Sequence, residues 1–241
     1  MTFSLFDLAF VGSLTAGPTD PDFANVSLLL HGDGANGSTT IVDSSPTPKT
    51  VTAEGDAQIS TAQSKFGGAS IAFDGNGDRV AVANNAALNF GTGDFTVECW
   101  VRSVLPLTSY NLRYAHICGK GNGIVASTYS LVFYQSKILF ISNSSFAKVG
   151  TSTLTNNTWY HFAASRSGST LKLFVDGVEE YSGTDTTNYT SSASFNVGDR
   201  QALDQNNQYP LDGYIDDLRI TKGVARYTSS FTPPTAPFPD A

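Results

Sequence analysis

The residues of this 241-residue chain that could do chemistry are few and scattered. Retaining glycoside hydrolysis needs a nucleophile and an acid about 5 to 5.5 Å apart, which one strand supplies through alternate positions in the pattern Glu-x-Asp-x-(x-)Glu. Glu54-Gly-Asp56 opens that pattern, but Ile59 stands where the closing Glu belongs, and Glu98, Glu179 and Glu180 have Trp100, Tyr181 and Ser182 two positions on. Acyl transfer fares no better. Gly68-Ala-Ser70-Ile-Ala72 approaches a nucleophile elbow, yet it lacks the final Gly and enters a strand instead of a strand-to-helix turn. His31, His116 and His161 are far apart in sequence, and neither Cys99 nor Cys118 sits in a context that favours a thiolate. The expectation is a protein that is not an enzyme.

Metal chemistry has two candidate starting points. Asp74-Gly-Asn-Gly-Asp78 copies the opening of an EF-hand loop, but Arg79 stands where that loop requires Gly and Asn85 where it requires the bidentate Glu, so the segment reads as a hairpin turn. Asp216 shares a strand face with Leu218 and Ile220 on simple alternation, which points it inward. A buried carboxylate must be neutralised, hydrogen-bonded or metal-bound. Two readings of Asp216 therefore stand: it accepts backbone N–H bonds, or it holds a cation.

Carbohydrate contact needs aromatic platforms ringed by Asn, Asp or Ser, because a sugar stacks its apolar face on a ring and bonds through its hydroxyls. Tyr110, Tyr114, Tyr129 and Tyr134 fall among polar residues, and Asp204-Gln-Asn-Asn-Gln-Tyr209 adds Asn206 and Tyr209 to the candidates. The alternative is that these tyrosines pack and the loop is solvated. His161 is expected to donate to a neighbouring backbone carbonyl, and Arg166 to pair with Asp176 or cap carbonyl groups.

The elements that must position these residues are strands. Period-two alternation bounded by Gly, Asn and Asp recurs at 27–31, 70–73, 79–83, 95–102, 129–134, 137–142, 159–165, 170–175, 194–197 and 213–220, with no sustained period of 3.6. Asp176-Gly177 links two runs as a hairpin. Val97, Cys99 and Val101 share one face and Thr96, Glu98 and Trp100 the other. The chain reads as all-β, an antiparallel two-sheet jelly-roll sandwich over 23–230. Residues 1–22 form an apolar arm broken at Gly17-Pro18 and Asp20-Pro21, and 231–241 form a proline-spaced tail extended along the surface.

Composition narrows the partners. Only 15% of residues are charged, against about 25% in an average soluble domain, and the formal net charge is -7. Nucleic acid and anionic membrane are excluded as expected partners, since both demand clustered Lys and Arg. No apolar run approaches the roughly 18 residues of a membrane span. The N-terminus has no Lys or Arg before its apolar run, and Asp7 interrupts it, so no signal peptide is expected. The sequons at Asn25, Asn36, Asn143, Asn156 and Asn188 then reflect composition. Cys99 and Cys118 are expected as buried free thiols.

Five segments resemble a known family: 65–75 (KFGGASIAFDG), 88–101 (LNFGTGDFTVECWV), 159–166 (WYHFAASR), 171–177 (LKLFVDG) and 213–220 (GYIDDLRI) with 223–227 (GVARY). They resemble the laminin-G-like, or concanavalin A-like, jelly-roll domains found in virion proteins of tailed bacteriophages, with Cys99 standing where a bulkier apolar residue is usual. The resemblance implies a structural calcium between an N-terminal turn and the last strand, which would bring Asp33 to Asp216. It also implies a noncatalytic virion protein made in the host cytoplasm, as a capsid decoration, baseplate part or fibre. The arm residues Phe3, Leu5, Phe6, Leu8 and Phe10 would then dock on other virion proteins or on sister subunits, since so short an apolar segment is costly to expose. A second reading is a glycan-binding adhesin for host surface polysaccharide.

Overall fold

The computed structural model describes residues 19–106, 114–121, 125–143, 145–200 and 210–241. In chain order the strands begin with β1 (Val26–Leu30), β2 (Val51–Glu54), β3 (Gln58–Ser60), β4 (Ser70–Asp74) and β5 (Arg79–Val82). Then come β6 (Phe95–Ser103), β7 (Ala115–Lys120), β8 (Tyr129–Tyr134), β9 (Lys137–Ser142) and β10 (Ser145–Val149). The last are β11 (Tyr160–Ser167), β12 (Thr170–Val175), β13 (Val178–Thr184), β14 (Phe195–Val197) and β15 (Asp212–Lys222). One sheet runs β13-β12-β11-β6-β15-β4-β3 with β1 also on β15, and the other runs β10-β9-β8-β7-β14-β5-β2. Every pairing is antiparallel. The all-β two-sheet sandwich expected from alternation is what the structure shows. Among the described residues no helix is long and apolar enough to cross a membrane.

Alternation decides which side chains meet between the sheets. Val97, Cys99 and Val101 of β6 face Leu131, Phe133 and Phe140 across one continuous core, while Glu98 and Trp100 point outward. Phe90, Phe95, Tyr129 and Tyr189 fill one end as stacked and edge-on rings, with Phe90 and Phe95 centroids 4.2 Å apart. Arg166 closes that end by donating to the carbonyls of Gly91, Gly93 and Thr187, so its carbonyl-capping role is the one realised. Cys99 and Cys118 are buried and free.

Two turns fix the frame. Asp176 and Gly177 take φ of 47° and 77° between β12 and β13, the two positive values that a tight hairpin needs. In β15, Asp217 adopts φ 52° and the register shifts between Asp216 and Arg219. The strand changes partner at this bulge, pairing with β4 through Ile215 and with β1 from Leu218 onward. The bulge also overturns one expectation. Ile215, Leu218 and Ile220 enter the core, whereas Asp216 lies across from the outward-facing Trp100 and does not share a face with Leu218 and Ile220.

Five strands carry no clear alternation: β2, β3, β7, β10 and β13. β7 interrupts its apolar residues with His116 and Gly119, and β13 exposes Val178 and Glu179 at a sheet edge. Such strands are held by their neighbours more than by their own pattern.

Candidate functional site

The outer face of the seven-stranded sheet is built from the alternate positions left over by the core. Paired residues form a row across five strands: Ser130 on β8, Gly119 on β7, Asn196 on β14, Ala81 on β5 and Thr52 on β2. These are small or neutral, and Gly119 can carry no side chain, because an added Cβ would collide with the Tyr129 carbonyl oxygen. A second row, Val149, Leu139, Val132 and His116, joins Ile141 in a buried apolar cluster against which Tyr114 and Tyr134 pack.

His116 sits at the junction. Its Nδ1 lies 2.8 Å from Ser130 Oγ and its Nε2 lies 3.2 Å from the Asn196 carbonyl oxygen. Burial, joined by the charge of Arg200, pushes its pKa down to about 3, so the ring is neutral. A carbonyl can only accept, which assigns the proton to Nε2 and makes Ser130 donate its hydroxyl to Nδ1. Both nitrogens are thereby used. Asn196 is buried and its Nδ2 has no hydrogen-bond partner, leaving a donor at the foot of this face.

At the same end of the sheet, Tyr114 and Tyr134 stack with centroids 4.8 Å apart. Both are half-buried, and Gln135 Nε2 donates to the Tyr134 hydroxyl at 2.9 Å. Across the sheet Arg79 pairs with Glu54. His116, Ser130 and Asn196 are buried, so the accessible part of this face is the half-buried tyrosine pair and the Arg79–Glu54 pair.

Of the residues expected to touch a glycan, Tyr114 stacks on Tyr134 at the end of the sheet. Tyr129 is a correction: it points into the core, packs on Phe90 at 4.7 Å and donates its hydroxyl to the Leu88 carbonyl. The alternation of β8 requires this, because Ser130 and Val132 take the outward positions. Tyr110, Asn206 and Tyr209 lie outside the described residues, as do Phe3, Leu5, Phe6, Leu8 and Phe10 of the arm. His116 was missed because β7 lacks a pattern, and Asn196 because the alternation at 194–197 marks its face and not a role. The available signal was the outward parity of Ser130.

The opposite outer face, on the eight-stranded sheet, is closed. Glu98 on β6 meets Arg219 on β15 at 2.8 Å, and Arg219 also holds Asp20, which is gripped in turn by Arg226. Burial alone would raise Glu98, but Arg219 and then His161 outweigh it and hold the carboxyl at about 2. His161 differs from expectation: its Nε2 lies 3.3 Å from Glu98, and neither ring nitrogen makes a directed hydrogen bond to a carbonyl or any other group. Phe231 and Phe238 of the extended tail pack edge-on against the His161 ring. Residues 19–22 belong to this seal, since the Asp20 amide also donates to the Ala241 carbonyl at 2.7 Å.

Asp33 and Asp216 approach each other from two sides of the 65–68 turn. Asp216 Oδ2 accepts the amides of Lys65 at 2.6 Å and Phe66 at 3.1 Å, while Asp33 is exposed beside Gly67. Burial raises Asp216 to about 7 against those amides, and the charges of Asp217 and Asp33 add to the rise. Asp217 is itself taken by His31 and by the Phe238 amide. The backbone-donor reading of Asp216 is realised at Oδ2. For a calcium, Asp33 and Asp216 bring surplus negative charge but only two carboxylates, so backbone carbonyls and water would have to complete its six to eight oxygens.

The family now follows. A family model described as the concanavalin A-like lectin/glucanases superfamily matches residues 74–226, and the chain belongs to that family. Among solved structures, domain 4 of AbnA, an extracellular arabinanase of family GH43 from Geobacillus stearothermophilus in complex with arabinotriose, is similar with TM-score 0.59. The match has 19% identity and covers 83% of this chain and 93% of that one. The binding domain of Paraclostridial Mosquitocidal Protein 1 matches with TM-score 0.61 and 14% identity over 87% of this chain and 50% of that one. The botulinum neurotoxin serotype D binding domain matches with TM-score 0.61 and 16% identity over 87% and 49%. The chain thus spans about half the length of these toxin domains. No curated protein matches it.

Proposed function

We propose that the chain is a noncatalytic glycan-binding module that engages saccharide at the Tyr114–Tyr134 end of its seven-stranded sheet. The observation that carries this reading is the stacked, half-buried Tyr114–Tyr134 pair at the end of this sheet. A sugar stacks its apolar face on such rings and bonds through its hydroxyls. The arabinotriose in the complex of the similar arabinanase domain supports the same chemistry. The test is a glycan array probed with the full chain. Binding to a polysaccharide class, weakened about tenfold or more by Tyr134→Ala, is the expected result. Silence across bacterial and host glycans overturns the reading.

The setting proposed for this module is the particle of a tailed bacteriophage, with the apolar residues between Phe3 and Phe10 docked on the virion or on sister copies. Support comes from the five family-like segments and from the apolar arm. Because Asp20 is built into the closed face, the truncation that tests the arm stops at residue 18. Lacking residues 2–18, the protein should keep its melting temperature and fail to join particles. Normal incorporation would refute the arm's role.

A further inference from the structure

Two lysines, one from each sheet, come together at one end of the sandwich. Lys120 ends β7 and is only 1% exposed; its Nζ donates to Asn84 Oδ1 at 2.9 Å and to the Asn85 carbonyl at 3.0 Å. Lys222 ends β15, and its Nζ donates to the Ala86 carbonyl at 3.0 Å in the same stretch of chain. The lysine ion pairs of the described residues take Lys49, Lys148 and Lys172 but neither of these two. Burial, and then the charge of Lys222, pull the Lys120 pKa down to about 8. A buried ammonium without a countercharge is costly, and a like charge near it adds to the cost. Capping carbonyls needs only neutral donors, so capping does not explain the doubled charge.

The stretch that these lysines hold is one wall of a pocket of about 360 Å³, and the segment leading into β2 is the other. Small-ligand sites run from roughly 300 to 1,000 Å³. Thr47, Lys49, Thr50, Asn84 and Asn85 are among the residues that line it. An ammonium can only donate, so the Asn84 atom that Lys120 meets is Oδ1, and the Nδ2 amino group is left on the side away from Lys120. Asn84 is exposed, so that donor is open to a ligand. Lys49 is already answered by Asp43 at 3.7 Å and donates to the Thr47 carbonyl. The pocket therefore presents neutral donors with positive charge behind them, in a chain whose formal net charge is -7.

We infer that this pocket binds the carboxylate of a sugar acid, with Asn84 Nδ2 donating to the carboxylate and Thr47 and Thr50 meeting the sugar's hydroxyls. Lys120 and Lys222 supply the countercharge from behind the Asn84–Ala86 stretch. A singly charged carboxylate suits such donors, whereas a phosphate dianion calls for several direct charge-assisted bonds. The inference rests on the glycan-binding reading for its sugar but not for its place: Tyr114 directly precedes the first residue of β7, and Lys120 is the last.

The experiment is a calorimetric titration of the full chain with oligosaccharides of glucuronate, galacturonate and mannuronate, each beside its carboxyl-reduced counterpart. At least one acid should bind, and its reduced counterpart should bind about tenfold or more weakly. Asn84→Asp, at an exposed position, sets a carboxylate where the ligand's belongs. It should weaken the acid by about tenfold or more, and it should raise the melting midpoint by about 2 to 4 °C through a new pair with Lys120. Tyr134→Ala should leave the acid's affinity within about threefold, which separates this pocket from the tyrosine pair. Binding of no acid, or equal binding of an acid and its reduced form, overturns the inference. So does an Asn84→Asp variant that keeps its affinity or gains no stability, and so does loss of the acid on Tyr134→Ala.

Discussion

The two outer faces of the sandwich use polar residues in opposite ways. On the eight-stranded sheet Glu98, Arg219, Asp20 and Arg226 form a chain of buried opposite charges, covered by Tyr227, Phe231 and Phe238. On the seven-stranded sheet a neutral histidine, a serine and an asparagine are buried, and the Arg79–Glu54 pair and the stacked Tyr114 and Tyr134 are partly exposed. Buried charges tolerate no missing partner, so the first face is locked shut. Neutral groups carry no such constraint, and the unpartnered Asn196 amide is tolerated there at modest cost.

The comparison breaks most visibly at Arg219. Arg219→Met strands Glu98 as a buried charge while Arg226 still holds Asp20, an effect of about 3 to 5 kcal/mol, so the melting midpoint should fall by about 10 °C in a domain of this size. A fall of only a degree or two would mean that the face is not locked by charge. Acid should act on the same network. The Glu98 carboxyl is held near 2, below its ordinary 4.5, so the stability it contributes is complete above pH 4.5 and is lost as pH falls toward 2. Urea melts between pH 2 and 5 should show that loss in the wild type and a flatter dependence in Glu98→Gln. The smallest stability effect is expected on the other face. Tyr134→Ala removes one half-buried ring and should cost about 1 kcal/mol or less while sharply reducing glycan binding. If it destabilises as much as Arg219→Met, the tyrosine pair is a packing element and the contrast between the faces fails.

How much of this was legible in the sequence depended on the range of the interaction. Asp176-Gly177 and the alternation of β6 are local, and both were readable. The partnership of Arg219 with Glu98 joins residues 121 positions apart and leaves no local trace. Asp216 misled because strict alternation cannot anticipate the extra residue at Asp217, whose positive φ resets the face of everything after it. Tyr129 was misplaced although its own strand held the answer: Tyr129, Leu131 and Phe133 share a parity, and two of the three are aliphatic or phenyl. His116 stayed hidden because β7 is too mixed to show a period, and Asn196, although its run at 194–197 alternates, carries no residue type that marks a site.

The two core cysteines provide a clock for the sandwich. Cys99 lies on β6 and Cys118 on β7, near the middle of opposite sheets, and burial pushes both thiols well above their ordinary range. A thiol reagent cannot react with either until the strands around it part, so each labelling rate measures how often its sheet opens. Equal rates at the two positions would mean that the sheets separate in one event. A faster rate at Cys118 would mean that the sheet with the neutral outer face opens by itself while its partner holds.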